Sequence, residues 1–303
     1  NRYAFGLGSY DGDNVLIDNI LIWEPNPKDI GVNSIVQEAF TYQSGHNTII
    51  KALVENYGID TLTNIPLAYQ VDNGAIIRDT LFSALAPFNQ IVFTFSQPHP
   101  LALGKNKVTV FSEYPNDIDH NNDTASIFFG GMKTFYPNYE DNFDQSNNWL
   151  SNGNNNQWEK GTPSTSHINT AHSGTKSWAT VLNANHQSAS EEYLYTPFFH
   201  ILPNTDSVTV EFWQYMRVLP GQAAGSLQYS LNGVVWNLVG YQGIINSQNW
   251  YNTNTWGAHN WNKMDTNWVH SWVMLDPSIF NLGSQVQFRF KFEAISNGQT
   301  EEG

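Results

Sequence analysis

The sequence contains no cysteine. Disulfide scaffolds, thiolate zinc sites and thiol catalysis are excluded with it. A chain of 303 residues does not need such staples, because a domain of ordinary size buries roughly 60–70% of the surface its unfolded chain exposes. Charge is scarce too. Charged residues make up 13%, and Lys+Arg 13 against Asp+Glu 27 leaves a net charge of -14. Such a surface repels phosphate backbones and anionic lipid, so nucleic acid and acidic membranes are poor partners and calcium a better one. No run approaches about 18 consecutive apolar residues, which excludes a transmembrane helix. The usual catalytic signatures are missing. The 9 histidines are scattered, with no H-E-x-x-H and no H-x-H, which speaks against catalytic zinc. There is no G-x-S-x-G elbow and no phosphate-cradling G-x-x-x-x-G-K-[ST].

What is abundant points the other way. Aromatic residues reach 14%, and Asn, Gln, Ser and Thr stand where cytosolic proteins carry Lys and Glu. This is the habit of extracellular or cell-surface β-proteins. The chain begins at Asn1 rather than Met and shows no signal-peptide pattern, so it reads as an internal piece of something longer. Almost nothing has a helical period. Apolar and polar residues alternate in short runs broken by Gly, Pro, Asn and Asp. In "VQFRFKF", Val286, Phe288, Phe290 and Phe292 point one way and Gln287, Arg289 and Lys291 the other. "KVTVF" turns Val108 and Val110 inward, and "VTVEF" does the same with Val208, Val210 and Phe212. Asn73-Gly74 and Asn232-Gly233 mark tight hairpins. Many short strands with regularly spaced turns give an all-β chain of β-sandwiches.

Composition divides the chain. Residues 1–23 end in "NVLIDNILIW", which is apolar on both parities and reads as a strand covered on both faces. Residues 24–28 are a Pro-rich linker. Residues 29–130 are a strand-rich block of about immunoglobulin size. Residues 133–303 form a second block, richer in Trp and Asn. The polar run "SNGNNNQ", from Ser151 to Gln157, reads as a surface loop.

Two stretches carry family resemblances. Asp29 to Val32 ("DIGV"), Asn56, Gly58, Leu62 and Ile65, then Asn116-Asp117 with Asn122-Asp123, follow an order that resembles the CARDB-type Ig-like domains of secreted Bacteroidetes proteins. In the second block, "WEKGTP", "AHSGTKSWAT", "YLYTP", "SLNGVVW" and "FRFKF" resemble the MAM-like, or cleaved-adhesin-like, jelly roll. That family's closing strand, of the form G-x-x-I-D-[ND]-[IV], is absent before Gly303, whereas "NVLIDNILI" (Asn14 to Ile22) has its pattern. The order of blocks is similar to large adhesins and to the C-terminal regions of secreted metalloproteases exported by the type IX system. The resemblance implies a jelly roll that lacks its last strand, with residues 1–23 carrying the closing strand of one. Segment 14–22 would then fill the open groove within the chain or between copies, the latter giving head-to-tail assembly.

Asp18 sits among apolar neighbours, and a buried carboxylate needs either a cation or several N–H donors. The resemblance implies a structural calcium ion shared with Asp144, its oxygen shell completed near Ser173 and Gly174. Satisfaction of the carboxylate by backbone N–H groups at a turn is the alternative. "SYDGDN" (Ser9 to Asn14) has the aspartate spacing of an EF-hand loop but lacks its later Glu, and reads as a turn. Five Trp fall between 249 and 272. Trp250, Tyr251, Trp256 and Trp261 either present rings for sugars to stack on or pack the sandwich, and their spacing suggests a loop. Glu191-Glu192 and Glu301-Glu302 are strand neighbours facing opposite ways, the wrong geometry for a glycosidase couple; they read as solvated edge charges. The expectation is a non-catalytic adhesive, binding or spacer repeat of a large extracellular surface protein. Its partners would be neighbouring repeats, copies of itself, glycans or another surface protein. The alternatives are accessory domains of a secreted metalloprotease, which an upstream H-E-x-x-H would reveal, and a carbohydrate-binding module.

Overall fold

The computed structural model describes residues 18, 20, 26–117, 119–186, 189–255 and 257–295. Segments 9–14 and 301–302, and the body of strand 14–22, lie outside the described residues. Within them the chain is a succession of β-strands.

The first group comprises β1 (Ile30–Ile35), β2 (Thr41–Gln43), β3 (Asn47–Thr48), β4 (Lys51–Asn56), β5 (Ile65–Val71), β6 (Ile77–Leu81), β7 (Gln90–Thr94), β8 (His99–Pro100), β9 (Gly104–Ser112) and β10 (Thr124–Met132). A sheet ordered β1-β4-β7 faces one ordered β2-β10-β9-β5-β6, an Ig-like sandwich. Alternation puts Ile65, Leu67, Tyr69, Val108 and Val110 between the sheets with no exposed surface, each contributing about 1.5–3 kcal/mol. The motif Asn56-x-Gly58 has a physical cause. Fully buried Asn56 donates to the carbonyls of Asp60 (2.8 Å) and Leu85 (2.9 Å) and accepts from Gly58 N (3.0 Å). A Cβ on Gly58 would lie 2.6 Å from the Pro27 carbonyl oxygen. The Asn73-Gly74 signal is a hairpin, with Tyr69 opposite Ile77.

The second group comprises β11 (Thr134–Phe135), β12 (Leu150–Asn154), β13 (Glu159–Gly161), β14 (Ser177–Ala179), β15 (Ser190–His200), β16 (Val208–Gln214), β17 (Ala223–Ser230), β18 (Asn237–Leu238), β19 (Ser247–Gln248), β20 (Thr253–Thr255), β21 (Ala258–Asn260), β22 (Val269–Leu275) and β23 (Gln285–Ala294). One sheet runs β11-β15-β23-β17-β18, with β12 also on β15; the other runs β16-β22-β19. Val239, Val273, Phe280 and Val286 are the fully buried centre of its core.

Four sequence expectations change here. The polar run Ser151–Gln157 is not a loop at its start: Ser151 to Asn154 belong to β12 and pair with β15. The stretch after Trp250 contains the β20–β21 hairpin. Glu192 is not a solvated edge charge but is fully buried, because β15 is flanked by β12 and β23. Gln287 faces away from the core of its own sandwich yet is also fully buried, because the first sandwich covers that face. Thr41 Oγ1 donates to Gln287 Oε1 (2.7 Å), and Gln287 donates to the Thr196 carbonyl (2.8 Å). Around them Phe40 and Met132 of the first sandwich pack on Tyr195, and the Arg289 guanidinium lies over Tyr193 and Trp236 at 3.8 and 4.1 Å.

Candidate ligand-binding cleft

β16 pairs with β22 along one edge, and no described strand pairs with its other edge. Its inward residues Val208, Val210 and Phe212 are only half-buried, although they pack against the core. A cleft of about 180 Å³ opens beside β16, between it and the β13–β14 hairpin. Phe290 and Phe292 of β23 form part of its floor, and Trp149, Trp158, Trp178 and Phe212 form walls. The indole N–H groups of Trp158 and Trp178 are buried and have no acceptor among the described residues. Leaving such a donor unpaired costs about 1–3 kcal/mol. The lining is mostly aromatic, and the cleft fits an apolar surface.

Three of the four aromatic residues singled out in the sequence are not available as a sugar platform. Trp250, Tyr251 and Trp261 are 4%, 4% and 2% exposed. Trp250 and Trp261 spend their indole N–H on the carbonyls of Val239 and Asn249, each at 3.0 Å. The Tyr251 hydroxyl donates to the Leu227 carbonyl at 3.0 Å. Their rings pack on each other, with Tyr251 and Trp261 centroids 4.5 Å apart. Trp256 lies outside the described residues. Sequence reasoning missed Trp158 and Trp178, though both lie inside the quoted "WEKGTP" and "SWAT" motifs. The exposed Trp213 stacks on His172 and His270, at centroid distances of 3.7 and 5.0 Å.

Asp144 and Gly174 meet, as the sequence suggested, but the carboxylate serves as a turn anchor. Asp144 Oδ1 accepts from Thr175 N (2.8 Å), Lys176 N (3.0 Å) and Thr175 Oγ1 (3.2 Å). These bonds, Thr175 N first, hold its carboxyl below the usual range. Gly174 has φ +66°, and a Cβ there would lie 2.2 Å from Asp144 Oδ2. Ser173 and Asp18 are exposed, so the partly buried environment expected for Asp18 is not found.

A buried histidine–carboxylate pair invites a catalytic reading. His186 Nε2 contacts Glu192 Oε1, and both side chains are almost wholly buried. Glu192 Oε2 accepts from Gln157 N at 2.6 Å. Ser190 Oγ lies 3.2 Å from the same His186 Nε2. Hydroxyl and carboxylate thus meet one ring nitrogen, whereas a nucleophile–base–carboxylate relay uses both. The group ties β15 to the segment before β13.

No known family pattern matches the chain, and no curated protein matches it. Three solved structures resemble it distantly. The CARDB domain of a Pyrococcus furiosus protein, in complex with di-metal ions, is 18% identical, covering 38% of this chain and 95% of that one, with TM-score 0.30. A carbohydrate-binding module of the β-sandwich superfamily is 10% identical over 92% of this chain and 100% of that one, with TM-score 0.31. A partial N-terminal region of an enterococcal surface protein is 11% identical over 91% and 87%, with TM-score 0.20. The all-β, two-sandwich architecture rests on the strand pairings themselves.

Proposed function

We propose that this chain is a non-catalytic adhesive repeat of a large extracellular surface protein, and that its cleft holds an extended strand from a neighbouring copy. The observation that carries this reading is the edge of β16 that no described strand pairs with, beside the apolar cleft, with Val208, Val210 and Phe212 left half-buried. An incoming strand pairs its backbone with β16 and buries alternate side chains. The occupant is segment 14–22, "NVLIDNILI", apolar on both parities and a hazard if left uncovered. Its Ile20 is 66% exposed, so this residue is not in the cleft of its own chain. One segment and one cleft per copy give a head-to-tail contact, which makes a closed ring if the rotation closes and a fibre if it does not. The resemblance to tandem CARDB-type and MAM-like blocks supports the extracellular setting.

A second reading, a carbohydrate in the same cleft, is favoured by the rings of Trp149, Trp158 and Trp178 that line it. One experiment separates the two. The chain lacking residues 1–23 is compared with the full chain by light scattering, then offered a synthetic peptide of residues 14–22 and, separately, a glycan array. Concentration-dependent assembly of the full chain alone, with peptide binding to the truncated form that Trp178→Ala weakens, is expected. Glycan binding without peptide binding moves the assignment to carbohydrate. Identical assembly of the two forms, with no peptide bound, overturns the strand reading.

A further inference from the structure

A second chemical site lies in the first sandwich, away from the cleft. The connection between β9 and β10 carries Asp117, Asp119, His120, Asn122 and Asp123. It folds back on the entry to β1: Ile30 N donates to Asp117 Oδ2 (2.7 Å), Val32 N to the Asn122 carbonyl (2.9 Å), and Asn122 Nδ2 to Asp29 Oδ1 (2.8 Å). Three carboxylates are thereby drawn out of water. Asp29, Asp117 and Asp123 are 8%, 6% and 9% exposed. Ligand atoms of Asp117, His120 and Asp123 lie within 4.8 Å of one another.

Two observations separate this cluster from an ordinary acidic loop. Asp123 Oδ1 is buried with no hydrogen-bond partner among the described residues, and so is Asn122 Oδ1. Acceptors of this kind, beside buried negative charge, are costly unless a cation meets them. Moreover, no lysine or arginine among the described residues pairs with Asp29, Asp117 or Asp123. The basic side chain found beside them is His120, whose Nδ1 lies 2.6 Å from Asp123 Oδ2 and whose side chain is 72% exposed.

We infer that Asp117, Asn122 and Asp123 bind a calcium ion that fastens the β9–β10 loop to the start of β1. The donors are hard oxygens, carboxylate and amide, as calcium prefers. The ion takes the place that the exposed His120 ring holds against Asp123 and meets both orphaned oxygens. Because Asp29 directly follows the Pro-rich linker 24–28, the ion stiffens the point where one block hands over to the next. The inference is independent of what occupies the cleft.

The test uses the full chain after chelation, titrated calorimetrically with calcium, magnesium or zinc chloride and melted with each. One calcium per chain and a rise of several degrees in Tm are expected. Asp123→Asn and Asn122→Ala should each weaken calcium binding at least tenfold, while Asp144→Asn, in the other sandwich, leaves it unchanged. Circular dichroism confirms that the variants fold, and Asn122→Ala serves if Asp123→Asn does not. Absence of calcium binding, or binding unchanged in the folded variants, overturns the site. Binding of zinc but not calcium, lost in His120→Ala, overturns the calcium assignment.

Discussion

The tripeptide Val-Thr-Val occurs in both sandwiches, as residues 108–110 in β9 and 208–210 in β16. In the first, Val108 and Val110 have no exposed surface. In the second, Val208 and Val210 are half-buried. The local signal is the same, and so is the inward direction. The difference is the neighbourhood: β9 is held on both edges by β10 and β5, whereas β16 is held on one edge by β22 among the described strands. An alternating strand specifies which face turns inward; whether that face is covered depends on strands supplied from elsewhere.

The comparison breaks most severely at the buried pair of the second sandwich. Glu192→Ala removes the carboxylate that contacts His186 and accepts from Gln157 N. The expected loss is about 3–5 kcal/mol, as for other buried pairs deprived of one partner, read from the shift in urea midpoint. A change no larger than that of a surface substitution would mean that the second sandwich is held by its aromatic core alone.

The matched valines sharpen it. Val110→Ala should cost about 2–3 kcal/mol, from lost transfer energy and the cavity left behind. Val210→Ala should cost less than about 1 kcal/mol, since its site is already partly in water. Adding the peptide of residues 14–22 should raise the cost at Val210 and leave that at Val110 unchanged. Equal costs without the peptide would show that β16 is covered in solution.

The smallest effect is on the acid side. Thr175 and Lys176 N–H groups lower the Asp144 carboxyl, and Ser278 lowers that of Asp276. A lowered folded-state value favours the folded form above the usual 3.8, and that contribution is lost as pH falls through the folded value. Stability of the second sandwich should therefore decline below about pH 4. Asp144→Asn should flatten that decline, as followed by melts between pH 2 and 5.

The Ig-like frame was legible because its motifs are local. Asn56-x-Gly58 closes its hydrogen bonds within a few residues, apart from the one to Leu85. The cleft was not legible, since Trp158, Trp178 and Phe212 are far apart in the chain and converge only when the hairpin and both sheets meet. The acidic loop was quoted as a family pattern, yet its chemistry depends on Asp29, which lies 88 positions before Asp117 in the chain.

The amino-acid sequence by itself determined the all-β class, the inward faces of the strands and the positions of several turns, because period-two alternation and turn chemistry act over a few bonds. The tertiary structure alone decided that Trp250, Tyr251 and Trp261 are core rather than platform, that Gln287 lies under the first sandwich, that Glu192 is buried, and that no described strand pairs with the second edge of β16. Each of these depends on what lies on the far side of a residue, and strands distant in the chain supply that.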